Sequence, residues 1–204
     1  MRGLVYSVLR RRASVRWYAG GEVGRDVVER LVEAATWAPS AHNAQPWRFV
    51  AVFSRGVKER LARLMGERWF RDLVGDGVSA DRARAMVEES VKRITGAPVV
   101  IVVALTMRDM DRYPDERRSR AEFLMAVQSV AAAIENLLIA AEAEGLGACW
   151  MCAPLFAPEE VRCVLRLPDD FEPQALITLG VPAEKPEKPP RKPLREVLRF
   201  DTWC

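Results

Sequence analysis

Histidine occurs once in these 204 residues, asparagine twice, glutamine three times and cysteine four times. One His and thiols at 149, 152, 163 and 204 supply no second His/Cys ligand pair, so no metal site is expected. Four unevenly placed cysteines do not make a disulfide framework either. No G-x-S-x-G elbow surrounds a serine, and no acid stands in the loop around His42 to orient it, which removes a serine hydrolase. The chain has neither G-x-G-x-x-G nor a Walker A loop, so a Rossmann or P-loop nucleotide site is not expected. Net charge is only +3, with acids and bases interleaved, which argues against a nucleic-acid surface. The apolar run in MRGLVYSVLRRR is too short for a signal peptide. The expectation is one soluble cytoplasmic domain over 1–204, with a Pro-rich arm from about 182 to 204.

Half the residues are hydrophobic, and their spacing outlines an α+β chain. Val27, Val28, Leu31, Val32, Ala34 and Ala35 predict an amphipathic helix over 26–37. Pro39 closes it, and WRFVAVF at 47–53 reads as a strand. Two helices are predicted at about 56–70 and 80–95, then PVVIVVAL at 98–105 as a strand buried on both faces. The charged segment 106–119 reads as a loop. From about 120 to 144 the chain is apolar nearly all round, which suits a central core helix or a membrane span. Glu135 and Asn136 near its middle favour the core. A strand at ACWM, a short helix from Pro158 to Leu167 and a strand at 174–181 complete the order ααβααβαβαβ. The tail PAEKPEKPPRKPLR is too rich in proline for helix or sheet.

Chemistry concentrates in three places. The first is APSAHNAQPW at 38–47, which holds the single His, one Asn and one Gln between two prolines. The second is RRRASVR at 10–16. Its arginines complement a helix C-terminus, and Arg12, Ser14 and Arg16 would share one side of an extended segment, a pattern suited to phosphate. The third is Cys149-Trp150-Met151-Cys152. A redox pair needs a helix N-terminus, whereas a strand here would turn the two thiols to opposite faces.

Together, R-x-S-x-R at 12–16, P-S-x-x-N-x-Q-P-W at 39–47, E-G-L-G at 144–147 and L-G-x-P at 179–182 with Arg191 resemble the FMN-dependent nitroreductase family. The resemblance implies an α+β homodimer with a central mixed or antiparallel sheet, a C-terminal arm, and two FMN molecules at the subunit interface. It implies that Arg12, Ala13, Ser14 and Arg16 hold the phosphate, ribityl chain and pyrimidine edge, and that Arg191 of the arm adds a second phosphate ligand. Pro39, Ser40, Ala41, Asn43 and Gln45 would belong to the loop that reaches the isoalloxazine of the other subunit. Cys152 and Ala153 align with the strand end whose backbone faces flavin N5. Ala41, Ala13 and Glu135 depart from residues frequent at those positions, a second Ser, a polar residue and Gln.

The segments 107–118, 125–136 and 147–156 look closer still to the nitroreductase domain associated with biosynthesis of the deazaflavin coenzyme F-420. A nicotinamide or reduced deazaflavin donor, and a small-molecule acceptor such as a dehydro precursor of that coenzyme, are what this implies; a broad nitro- or quinone-reductase is the alternative within enzymes, and a flavin- or anion-binding module the alternative outside them. The long helix would pair with its copy, with alanines at 126, 131, 132, 133, 140 and 141 permitting close approach.

Overall fold

The run after Pro98 forms the strand on which both halves of the core are built. In the computed structural model, which describes residues 2–184 and 186–203, it is β2 (Val99–Leu105), and all seven residues are buried. Its odd-numbered residues, Val99, Ile101, Val103 and Leu105, pack with α2 (Arg25–Thr36) and α5 (Glu116–Ala143). Val100 and Val102 point to the opposite face, against α3 (Arg55–Gly75), α4 (Ala80–Thr95) and α6 (Pro158–Leu165). Alternation along one strand thus creates a three-layer α/β/α arrangement, as period-two side chains require.

The sheet has four antiparallel strands in the order β1 (Trp47–Val52), β2, β4 (Glu172–Gly180), β3 (Gly147–Met151). The mixed alternative survives only in an isolated parallel bridge between Ser14 and Ala148. α1 (Arg2–Arg11) precedes this core, so the element order agrees with the sequence reading.

Several boundaries differ for local reasons. α5 begins four residues before 120 because the Asp115 side chain accepts the Arg118 backbone N–H at 3.0 Å and caps it. That bond, then the Arg118 guanidinium, holds the Asp115 carboxyl below its ordinary range. β4 starts at Glu172, two residues early, beside a bulge between Val103 and Ala104. The tail is not wholly irregular: α7 (Leu194–Val197) makes one turn directly after Pro193.

The alanines of α5 have a different use from the one expected. Ala126, Ala133 and Ala141 are fully buried, and Ala132 and Ala140 pack against the same core. They let α5 approach α2 and the sheet within one chain; only Ala131 stands apart from that packing. α5 is long and apolar enough to cross a membrane, but its contacts are those of a core helix.

Candidate functional site

The segment 12–16 leaves α1 and runs beside β3 because Val15 is drawn inward. Its backbone N–H donates to the Ala148 carbonyl at 3.0 Å, and its side chain is buried over Gly147. A Cβ on Gly147 would lie 2.6 Å from Val15, so only glycine permits this approach. With Val15 turned in, Ser14 and Arg16 are left more accessible, the alternation the sequence suggested. Tyr18 fixes the next turn: its hydroxyl donates to the Val15 carbonyl at 2.8 Å and lies 2.7 Å from Thr178 Oγ1. Burial raises its pKa, so the phenol stays protonated.

Arg12 lies 3.5 Å from Glu135 on α5, so the carboxylate at the departing position faces the arginine expected to hold phosphate. Ala13 lines a groove of about 430 Å³ beneath the arm. The arm reaches this region through an Ala183 N–H to Trp17 carbonyl bond at 3.1 Å and through Lys188, which donates to the Arg10 carbonyl. Arg191 lies beyond that anchor and is exposed.

At the far end of β3 the C-x-x-C expectation needs correction. Cys149 is buried in the strand, but Cys152 lies one residue past it, exposed, and starts a 3-10 turn at Ala153–Phe156. The second thiol is therefore not covered by a strand. Burial raises the Cys149 pKa, although the guanidiniums of Arg16, Arg93 and Arg12 act in the opposite sense. Cys204 lies outside the described residues. Alkylation of the native protein at neutral pH should label Cys152 and Cys163 well before Cys149. A Cys149→Ala, Cys152→Ala chain should keep most of its turnover. Rapid labelling of Cys149, or loss of turnover with the fold intact, would restore a dithiol role.

Arg93, on α4, was not singled out in the sequence. It joins Cys152 and Ala153 in the wall of a cavity of about 510 Å³, with Trp69, Met86 and Ser90. One guanidinium nitrogen pairs with Glu89, while its Nε is buried without a partner. Trp150 Nε1 is a second buried donor without a partner. Arginines from two separate segments, 12–16 and α4, thus bear on the thiol of Cys149.

The loop 39–45 is also tightly defined. His42, Asn43 and Gln45 all have positive φ, between 48° and 55°, a region non-glycine residues seldom occupy. The Gln45 N–H donates to Ser40 Oγ at 3.1 Å, and the Ala41 N–H to Ser129 Oγ at 3.2 Å. His42 Nε2 lies 3.1 Å from Glu122 Oε1. Pro39, Asn43 and Gln45 are exposed. This loop attaches to α5 at Glu122 and Ser129, whereas Arg12 and Arg11 attach at Glu135 and Glu142. The nearest of these attachments, Ser129 and Glu135, lie roughly 9 Å apart along the helix, and the farthest, Glu122 and Glu142, roughly 30 Å. No hydrogen bond or ion pair among the described residues joins the two groups within one chain.

The donor set can be compared with a ligand. Guanidiniums, a serine hydroxyl and neutral loop groups suit a flat uncharged ring edge joined to an anion. The orphaned buried donor at Arg93, in the cavity wall, fits a group that supplies an acceptor.

Residues 9–181 match the nitroreductase family. Among curated proteins the chain is similar to a Cr(VI) reductase of Pseudomonas sp. strain G-1, 28% identical over 98% of this chain and 75% of that one. It is 32% identical to an NADH dehydrogenase of Thermus thermophilus, over 92% of this chain and 91% of the relative. Among solved structures, a BluB-like flavoprotein of Clostridium difficile superposes with TM-score 0.85 and 27% identity, covering 97% and 99% of the two chains. A candidate nitroreductase of Desulfovibrio desulfuricans in complex with FMN gives TM-score 0.73 and 25% identity, over 98% of each chain.

Proposed function

This chain belongs to the nitroreductase family, and we propose on that premise that it is a soluble cytoplasmic FMN-dependent oxidoreductase. A small-molecule donor and a small-molecule acceptor would be served in two successive half-reactions. The observation that carries this reading is the cavity walled by Arg93, Cys152 and Ala153, beside the β3 strand along which the 12–16 segment runs. Bound FMN would supply the redox chemistry, taking up and releasing two electrons.

The protein's own residues then have positional and electrostatic tasks. Arg12, with Arg191 once the arm closes, would bind the phosphate, and Ser14 the ribityl chain. Arg16 and Arg93 would hold positive charge at the pyrimidine edge, where negative charge develops on reduction. Ser40 and Asn43 of a second subunit would cover the ring with neutral groups, which favour neither redox state by charge. Neutral groups suffice for that task, and His42 is engaged with Glu122 on α5 instead. The walls of Trp69, Met86 and Phe156 would exclude water from the reacting face.

The finer reading is reduction of a dehydro precursor of coenzyme F-420, supported by the resemblance of 107–118, 125–136 and 147–156. A broad nicotinamide-dependent nitro- or quinone-reductase is favoured instead by the relatives named as a Cr(VI) reductase and an NADH dehydrogenase. Purified protein mixed with FMN should co-elute with flavin absorbance, which NADH, NADPH or a reduced deazaflavin should bleach anaerobically. The donor that bleaches fastest selects between the readings. Failure to retain any flavin would overturn both in favour of a binding module of another kind.

A further inference from the structure

We propose that His42, Asp111 and Glu122 form a binding site for a divalent transition-metal ion that fastens the 39–45 loop to α5. Their three donor atoms lie within 4.8 Å of one another. His42 Nε2 is 3.1 Å from Glu122 Oε1 and 3.7 Å from Asp111 Oδ2. Ligand atoms held at about 2.0–2.2 Å from a common ion stand roughly 3–4 Å apart, so these separations are those of a coordination edge.

Glu122 supplies the independent observation. Its side chain is only 4% exposed, it is aimed at His42, and its Oε2 is buried with no hydrogen-bond partner. A buried carboxylate with an orphaned oxygen is costly unless a cation satisfies it. Of the guanidiniums lining the same cavity, Arg108 pairs with Asp170 at 3.0 Å and Arg162 with Glu159, while Arg112, exposed, makes no ion pair with Glu122 among the described residues. Asp111 and Glu122 also line a cavity of about 740 Å³, which gives an ion and a completing water a way in.

One imidazole and two carboxylates make a mixed N/O donor set, suited to Mn²⁺, Co²⁺ or Zn²⁺ over Mg²⁺. Counting only His and Cys concealed this site in the sequence, because its other ligands are carboxylates 69 and 80 positions away from the histidine. The ion would also explain how three non-glycine residues with positive φ are kept in one short loop.

The test uses full-length protein treated with chelator and titrated with Co²⁺, whose visible d–d bands report an ordered ligand set. One Co²⁺ per chain is expected, displaced by Zn²⁺ and not by equimolar Mg²⁺. His42→Ala and Glu122→Gln should each weaken uptake at least tenfold. Should the buried Glu122 change prevent folding, Asp111→Asn, on an exposed loop, should show the same loss with an unaltered circular-dichroism spectrum. Absence of Co²⁺ uptake by the wild type would mean a plain His–carboxylate contact and overturn the proposal. So would uptake unchanged in the His42 and Asp111 variants, or equal displacement by Mg²⁺. None of these readouts depends on flavin.

Discussion

Arg12→Ala is expected to weaken FMN binding ten- to a hundredfold, and Glu135→Gln to strengthen it. The opposite signs follow from one geometry. A charge-assisted hydrogen bond to phosphate contributes about 1.5–3 kcal/mol, which sets the loss for the arginine. Glu135 stands 3.5 Å from the same guanidinium and would compete with the phosphate for it. With the Arg12 and Glu135 side chains 20% and 45% exposed, their pair should contribute less than about 1 kcal/mol to folding. Melting of the apoprotein should therefore barely move in Glu135→Gln, while FMN affinity rises several-fold. Riboflavin separates the phosphate effect from any other, because it lacks that group and should bind wild type and Glu135→Gln alike. Arg191→Ala extends the comparison to the arm: it should lose FMN and keep riboflavin. Equal weakening of both ligands in Arg12→Ala would contradict the assignment of that residue to phosphate.

The architecture was legible where local pattern and packing agree. PVVIVVAL fits a strand covered on both faces, and the 26–37 segment a helix with one buried face. α5 was found for the right reason, but three of its alanines were assigned to the wrong neighbour. Composition shows that a helix can be approached closely and does not show by what. The sheet and α2 take that space, and Ala126, Ala133 and Ala141 disappear into the core of their own chain.

The site was legible in part for a similar reason. R-x-S-x-R and the 39–47 loop are contiguous, so spacing carries their chemistry. Arg93 is invisible in sequence because its meaning comes from a tertiary approach of α4 to the β3 end. The Glu135–Arg12 contact joins residues 123 positions apart, and no periodicity predicts it. Cys152 was placed inside a strand because its neighbours are apolar; Pro154 forces the chain into a turn there instead.

Leu124→Glu is expected to release dimer and FMN together. A single chain leaves much apolar surface uncovered. In the most apolar 18-residue window of α5 only 39% is buried, and Leu124 on its outer face is 49% exposed. Leu4 and Val5 of α1, Trp37, and Leu194, Phe200 and Trp203 of the arm are exposed as well. A surface of this kind marks an interface. Nor does any hydrogen bond or ion pair among the described residues join the two halves of the site, 12–16 and 39–45, which attach to α5 at separate positions. A second copy would resolve both conditions, covering the apolar residues and bringing its Ser40 and Asn43 to the first copy's arginines. Burying a leucine contributes about 1.5–3 kcal/mol, and a two-fold axis repeats the change, so the dimer should weaken by roughly 3–6 kcal/mol. That corresponds to about a hundred- to ten-thousandfold in its dissociation constant. At micromolar concentration Leu124→Glu should elute as a folded monomer without flavin, while the wild type elutes as a yellow dimer. Co-expressed Arg16→Ala and Asn43→Ala chains sharpen the test, since their heterodimer would hold one intact site and one doubly damaged site. It should bind close to one FMN per two chains, where each parent homodimer binds weakly at both. A wild-type monomer that retains FMN would refute a site shared between subunits.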